Sequence, residues 1–202
     1  MPNTIDSFRS SFKTGIARPH RFDVNIPIPL ILIQYRNIAQ QLTLRCESAN
    51  IPGRTLATAD QKIYNITEKF PYQTTYNDME MTFIVSNDMT EKQFFDAWVE
   101  FINPSTNFNF KYKGDYATSI TISQYDDTNT LSYQIELIDA YPISVNQLDL
   151  NWNADGYHKL TVTFAYTYWK NTNLVNTLQN IATEGIGGAV SQFTGGLGGS
   201  LF

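Results

Sequence analysis

"KLTVTFAYTYW", residues Lys159 to Trp169, alternates without a break. Leu160, Val162, Phe164, Tyr166 and Tyr168 fall on one side of an extended chain. Lys159, Thr161, Thr163, Ala165 and Thr167 fall on the other. Successive side chains of a strand point to opposite faces, so this pattern predicts a strand with one face in a core and one in water. A half-buried strand needs neighbours, and the rest of the chain supplies them. "RFDVNI" places Phe22, Val24 and Ile26 on one face, and "DMEMTFIVS" does the same for Met79, Met81, Phe83 and Val85. "QLTLRCES" aligns Leu42, Leu44 and Cys46, which predicts a strand ended by Pro52-Gly53. "FNFKYK" (Phe108, Phe110, Tyr112), "SITISQY", "LSYQIELIDAYP" (Tyr133, Ile135, Leu137) and "ISVNQLDLNW" continue the series.

Two stretches break the pattern. "PIPLILIQYRN" carries Pro27 and Pro29, which cannot donate to a ladder, so it reads as an edge strand or a protruding loop. Residues Asn50 to Asn77 are polar, with only the short β-like piece "KIYNIT", and read as a long excursion. One core helix is expected over "MTEKQFFDAWVEFINP". Thr90 reads as its N-cap and Gln93 as its capping-box partner. Phe94, Trp98 and Phe101, with Phe95, Val99 and Ile102 beside them, form one wide apolar face. The expected fold is therefore mainly β (α+β): two packed antiparallel sheets in a sandwich or barrel, with one flanking helix. The folded domain is expected over residues 1–170. Residues 171–202 form a C-terminal extension, with a short amphipathic helix through Leu174, Leu178 and Ile181 and a Gly-rich, almost uncharged tail.

Composition narrows the function. Hydrophobic residues make up 42% and charged residues 16% of 202, enough apolar material for a core and too little charge for a disordered chain. The net charge of -5 disfavours a grip on nucleic acid, which rests on Lys and Arg. Met1 to Ser11 lacks the apolar core of a signal peptide. The run Ile26–Ile33 falls far short of the ~20 residues that span a bilayer. A soluble protein of a reducing cytoplasm is expected.

Cys46 is the single cysteine and lies beside Glu47, which invites a reading as a nucleophile. A catalytic thiol needs a base, and the two histidines, His20 and His158, share no local signature with it. "DLNWNADG" spaces Asp149, Asn151 and Asn153 like a calcium loop. Ala154 occupies the glycine position, and the shifted register ends on Val162 instead of Glu. Asn65-Ile66-Thr67 is a sequon without a secretory context. Asp126-Asp127 reads as a solvated turn. No catalytic, metal or cofactor site is expected.

The order of landmarks carries a resemblance. "GIARPHRFDVNI" precedes "LTLRCESANIPGR", the polar excursion, "MEMTFIVSND" and the helix "KQFFDAWVEFI". Ala17-Arg18-Pro19, Cys46 ahead of Pro52, "QYD" with its hairpin, Tyr141-Pro142, "LDLNW" and "FAYTYW" complete the set. From about Gly15 to Lys170 the chain resembles the tail tube proteins of contractile-tailed, T4-like bacteriophages, whose fold is shared by the inner tubes of type VI secretion systems and contractile bacteriocins. The resemblance implies a structural virion protein of the phage tail, assembled in the host cytoplasm, and not an enzyme. Six subunits would form a ring, and rings would stack into a hollow tube whose lining is a β-barrel continuous across subunits. The implied partners are other copies of the chain, the tail sheath, the tape-measure protein, and the baseplate and tail-terminator proteins. DNA would pass through the lumen without specific binding, and no membrane or cofactor is involved.

By the same resemblance the excursion contacts the neighbouring ring. It maps to roughly Ile51–Phe70, with Ile51, Pro52, Gly53, Arg54, Thr55, Leu56, Lys62 and Tyr64 as the contact residues. The Thr-rich face of the opening strand, through Thr161, Thr163 and Thr167, is the candidate lumen side. "PIPLILIQYRN" and residues 171–202 are additions to the family pattern. They leave room for a tube-initiating baseplate protein of the same fold. A β-sandwich module binding a carbohydrate or peptide, and a thiol enzyme, are the readings from other classes.

Overall fold

A computed structural model describes residues 4–12, 15–153 and 155–172. In chain order its elements are helix α1 (Ile5–Ser11), strand β1 (Phe22–Asn25), a 3-10 helix (Leu30–Tyr35), helix α2 (Ile38–Arg45) and strands β2 (Cys46–Ala49), β3 (Thr55–Ile63), β4 (Ile66–Thr75) and β5 (Met79–Ile84). Helices α3 (Thr90–Ile102) and α4 (Lys113–Tyr116) follow. Strands β6 (Thr118–Tyr125), β7 (Leu131–Val145), β8 (Lys159–Ala165) and β9 (Tyr168–Asn171) close the series. Seven strands form one sheet in the order β1-β6-β7-β8-β5-β2, with β9 paired to β7, and β3 and β4 form a second. The expected mainly β chain with two antiparallel sheets and a helix is observed, and the sheets are not closed.

The chain divides into two units: Asp23–Ile122 with Leu137–Trp169, and Met1–Phe22 with Ser123–Glu136 and Lys170–Phe202. The first holds the opening strand. Leu160, Val162 and Phe164 of β8 are buried and lie in register with Phe83, Met81 and Met79 of β5, also buried. Helix α3 covers this face with Phe94, Phe95, Trp98 and Ile102. Phe95 stacks against Phe83 at 5.2 Å and Phe164 at 6.0 Å, and the Trp98 indole donates to the Tyr116 carbonyl at 2.9 Å. Each buried aromatic contributes about 2–3 kcal/mol through its area alone. Alternation and helical period on facing elements therefore built one core. Val99 and Phe101 lie at its margin, less buried than the expected face required.

The start of α3 differs from expectation. Met89, at φ 53°, is the N-cap and Thr90 is the first helical residue. Glu91 replaces the capping box. It is buried, accepts from the Ser86 amide and hydroxyl at 2.9 Å each, and pairs with Arg45.

"QLTLRCES" is not one strand. Its first part is α2, with Ile38 and Leu42 buried four residues apart, and Leu44 is 85% exposed. Helical period wins because Ile38, Leu42 and Arg45 share a face toward α3, which the window from Gln41 leaves out. Only Cys46–Ala49 extends, as β2 beside β5. "PIPLILIQYRN" forms the 3-10 helix, with Leu32 buried. "FNFKYK" is no strand. Phe108 takes φ 54°, the Lys111 amide donates back to Ile102, and Phe108, Phe110 and Tyr112 are exposed. "ISVNQLDLNW" is strand only to Val145, where β7 ends.

In the other unit Thr4 caps α1, its hydroxyl accepting from the Ser7 amide at 3.3 Å. Asp127 pairs with Arg18 at 3.2 Å and Arg21 at 3.5 Å. Asp126 accepts from the Thr128 and Thr130 amides at 2.8 Å, so this carboxylate pair braces a turn instead of being merely solvated. Residues 173–202, with the expected helix through Leu174, Leu178 and Ile181 and the Gly-rich stretch, lie outside the described residues.

Candidate functional site

The polar excursion is a long hairpin. Its turn is Tyr64-Asn65, with φ 49° and 66°, the two left-handed positions of a type I′ turn that matches strand twist. Thr55 pairs with Thr75, Leu56 with Thr74, Asp60 with Lys69 and Lys62 with Thr67. The register slips between Ala57 and Thr58, opposite Pro71, where a strand residue without an N–H is tolerated. Every residue of β4 is exposed, and Leu56, Tyr64, Ile66, Phe70 and Tyr72 present large apolar surfaces. An isolated two-stranded ribbon is marginal in water, so it calls for a covering surface. Sequence reading missed it because neither face is buried, which removes the apolar/polar alternation. The two-residue turn ending in Asn, flanked by Ile63 and Ile66, was the available signal.

The hairpin is anchored at its root. The Arg54 guanidinium lies 4.8 Å over the Trp169 ring and 5.8 Å from Tyr76, and it donates to the Trp169 carbonyl at 3.5 Å. The Trp169 indole in turn donates to the Gly53 carbonyl at 3.2 Å. Tyr76 meets Tyr166 edge-on at 6.2 Å, and the Tyr166 hydroxyl donates to the Asn77 carbonyl at 2.8 Å. Burial, then the Asp78 charge and the neighbouring Tyr76, push the Tyr166 phenol up, so it stays a neutral donor. Two cation–π contacts on a half-wetted Arg contribute roughly 1 kcal/mol. Tyr76, Tyr166 and Trp169 were not among the expected site residues.

The expected residues are thus laid out along one arm. Ile51 and Pro52 precede it, Gly53 and Arg54 form its root, and Thr55 and Leu56 open β3. Lys62 lies near the tip and Tyr64 at it. Nine residues of β3 extend roughly 30 Å.

A second surface lies opposite the core on β8 and its neighbours. Thr161 stands in register with Thr82, their hydroxyls 3.2 Å apart, and Thr82 with Ser48 of β2. Thr163 stands between Glu80 and Ser144. Glu47 and Lys159 join across this face at 2.5 Å. Thr167 does not belong to it. The strand bends after Ala165, and Thr167 accepts from Lys113 at 2.5 Å and donates to Asp139 at 3.2 Å.

Cys46 is half-buried, its Sγ donating to the Ser48 carbonyl at 3.6 Å. Burial pushes the thiol up to about 12, which keeps it protonated and a poor nucleophile at neutral pH. His20 lies near Arg21 of the Asp127 turn, and the His158 carbonyl accepts from the Val85 amide at 3.0 Å. Among the described residues no three His, Cys, Asp or Glu side chains group as metal ligands, and no helix is long and apolar enough to cross a membrane. In "DLNWNADG" the Asn151 side chain instead accepts from the Asn153 amide at 3.0 Å.

Known proteins resemble this chain in sequence and fold. The chain is 24% identical over 170 residues to the tail tube protein gp19 of Enterobacteria phage T4, covering 82% of this chain and 99% of that one. Among solved structures, a chain of the anti-feeding prophage baseplate, 6-fold symmetrised, superposes with a TM-score of 0.55 at 16% identity, over 77% of this chain and 95% of that one. A chain of the sheath-tube complex of an extracellular contractile injection system, in its extended state, gives 0.55 at 15%, over 84% and 98%. The family model described as phage tail tube protein matches residues 17–172. The chain therefore belongs to the phage tail tube protein family.

Proposed function

We propose that this chain assembles into six-membered rings that stack into the hollow inner tube of a contractile tail, a structural conduit for DNA without catalytic activity. The observation that carries the reading is the β3–β4 hairpin, exposed on both faces and clamped only at its root. Its apolar side chains call for a neighbouring ring as cover, through Ile51–Leu56, Lys62 and Tyr64. Among the described residues β2 is an edge strand beside β5, and its outer side is one that a neighbouring subunit would extend. The face of Thr161, Thr163, Thr82, Ser48 and Ser144 suits a lumen: rich in hydroxyls, with its one lysine, Lys159, neutralised by Glu47, on a chain of net charge -5. Thr167 is left out of that assignment. The tape-measure protein would occupy the lumen before DNA, the sheath would surround the tube, and baseplate and terminator proteins would close its ends. Assembly would take place in the host cytoplasm.

Negative-stain microscopy of the purified protein tests this. Hollow tubes are expected, and replacing Thr55–Thr75 by a short Gly-Ser link is expected to leave unstacked rings or monomers. A persistent wild-type monomer, or normal tubes from the shortened chain, rejects the reading. A second reading, the tube-initiating baseplate protein, draws on the added segment Pro27–Asn37. It predicts single rings from the wild-type chain.

A further inference from the structure

The added segment "PIPLILIQYRN" builds one wall of a groove. Leu30 and Ile31 of the 3-10 helix face Phe101 of α3, with Gly114 and Ala117 beyond, across a cavity of about 640 Å³. The exposed Lys111 and Asp115 line it too. Elsewhere in the same unit, the β7–β8 connection carries a finger with Leu150 and Trp152 at its tip. The Trp152 side chain is 104% exposed, wetted over its whole surface. The Asn151 side chain braces this tip through the Asn153 amide, and the exposed Asp149 and Asp155 flank it. Among the described residues Lys111, Asp149 and Asp155 make no ion pair.

The root of the finger and the groove lie at opposite ends of α3. The finger returns through His158, whose carbonyl binds Val85 just before α3 begins. The groove holds Phe101 of the last turn, and the Lys111 amide is tied to the Ile102 carbonyl. Trp152 is wholly exposed and no finger residue lines the groove, so the finger does not fill the groove of its own chain.

We propose that the Leu150–Trp152 finger of one copy seats in the groove of a second copy, with Asp149 or Asp155 meeting Lys111 at the rim. An apolar anchor seated in a pocket is the arrangement that carries interface energy, and tryptophan is its most effective anchor; among the described residues Lys111 is the one groove cation an acidic flank of the finger can meet. Because the two surfaces differ, the contact is head-to-tail and propagates from copy to copy. It rests on the tube reading and adds to the hairpin a contact that uses the segment added to the family pattern.

A cysteine pair tests it. With Cys46→Ser as background, Gly114→Cys and Asn153→Cys are combined in one chain, which keeps the Trp152 anchor. A Cβ at Gly114 meets nothing within 4 Å, and Asn153 is exposed and uses only its backbone amide in the tip, so both are tolerated. Oxidation of assembled protein should give a ladder of covalent multimers on non-reducing gels. Lys111→Asp alone should raise the concentration needed for assembly roughly tenfold or more, and adding Asp149→Lys and Asp155→Lys should restore it. Wild-type tubes with no ladder, a dimer band alone, or a charge swap without rescue overturns the contact and leaves the tube reading standing. A wild-type chain that never assembles overturns both.

Discussion

Cys46 shows how one side chain can mislead and then inform. Beside Glu47 it invites chemistry, yet burial holds the thiol near 12, against an ordinary value of 9.0. Between pH 9 and 12 the unfolded chain has lost this proton while the folded chain keeps it. The folded state then binds more protons, and stability falls as pH rises through that window. Below pH 9 both states are protonated and the contribution is constant. Relative to Cys46→Ala, the wild type should therefore lose denaturant resistance progressively above pH 9. Iodoacetamide at pH 8 should modify the native thiol far more slowly than the urea-unfolded one, and equal rates would discard this account. Arg54 makes the opposite point. It was expected as a contact to the neighbouring ring, and its guanidinium lies between Tyr76 and Trp169 of its own chain, the latter over a hundred positions away.

The elements are joined by a few polar links that no local pattern announces. Glu91 is buried in the first turn of α3, takes two bonds from Ser86 and pairs with Arg45, the last residue of α2. That single carboxylate fastens α2 and β2 to the core helix. Glu91→Ala should cost about 3 kcal/mol in urea unfolding, since it leaves the Arg45 charge and the Ser86 amide without a partner. Replacing the pair together, as Arg45→Met with Glu91→Leu, should cost much less. Equal losses in the two variants would show that the ion pair itself is not what matters. The strands β5, β7 and β8 and the helix α3 were legible because each buries one clean face. Helix α2 was misread as a strand because Leu42, Leu44 and Cys46 mimic period two, while its true partner, Ile38, lies outside that window. The β3–β4 hairpin escaped notice because both of its faces are wet.

Taken entire, the chain separates a dry side from a wet one across the same strands. The wet side, through Thr82, Thr161 and Thr163, offers hydroxyls and the Glu80 carboxylate, with Lys159 held by Glu47. If this face lines the tube, Thr163→Lys places a ring of cations in the lumen. Tubes of that variant should retain double-stranded DNA at low ionic strength and release it as salt rises, since phosphate binding is driven by counterion release. Wild-type tubes should retain none. A variant indistinguishable from wild type in a salt-gradient filter assay would place Thr163 away from the conduit. The hairpin and the Trp152 finger also expose large apolar side chains.

Class and core were present in the one-dimensional pattern. Alternation in "KLTVTFAYTYW" and in "DMEMTFIVS", with the apolar stripe of α3, specifies a half-buried sheet under a helix, because burial of one face imprints its period on the residues that make it. The order of landmarks was enough to point to the tail tube family. What waited for three dimensions was everything built from distant partners or from surfaces without a core: the Arg54–Trp169 clamp, the Glu91–Arg45 tie, the type I′ hairpin, the removal of Thr167 from the strand face, and the groove beside the 3-10 helix. These depend on which residues meet across the fold, and a pair that meets across a hundred positions leaves no period in the sequence between them.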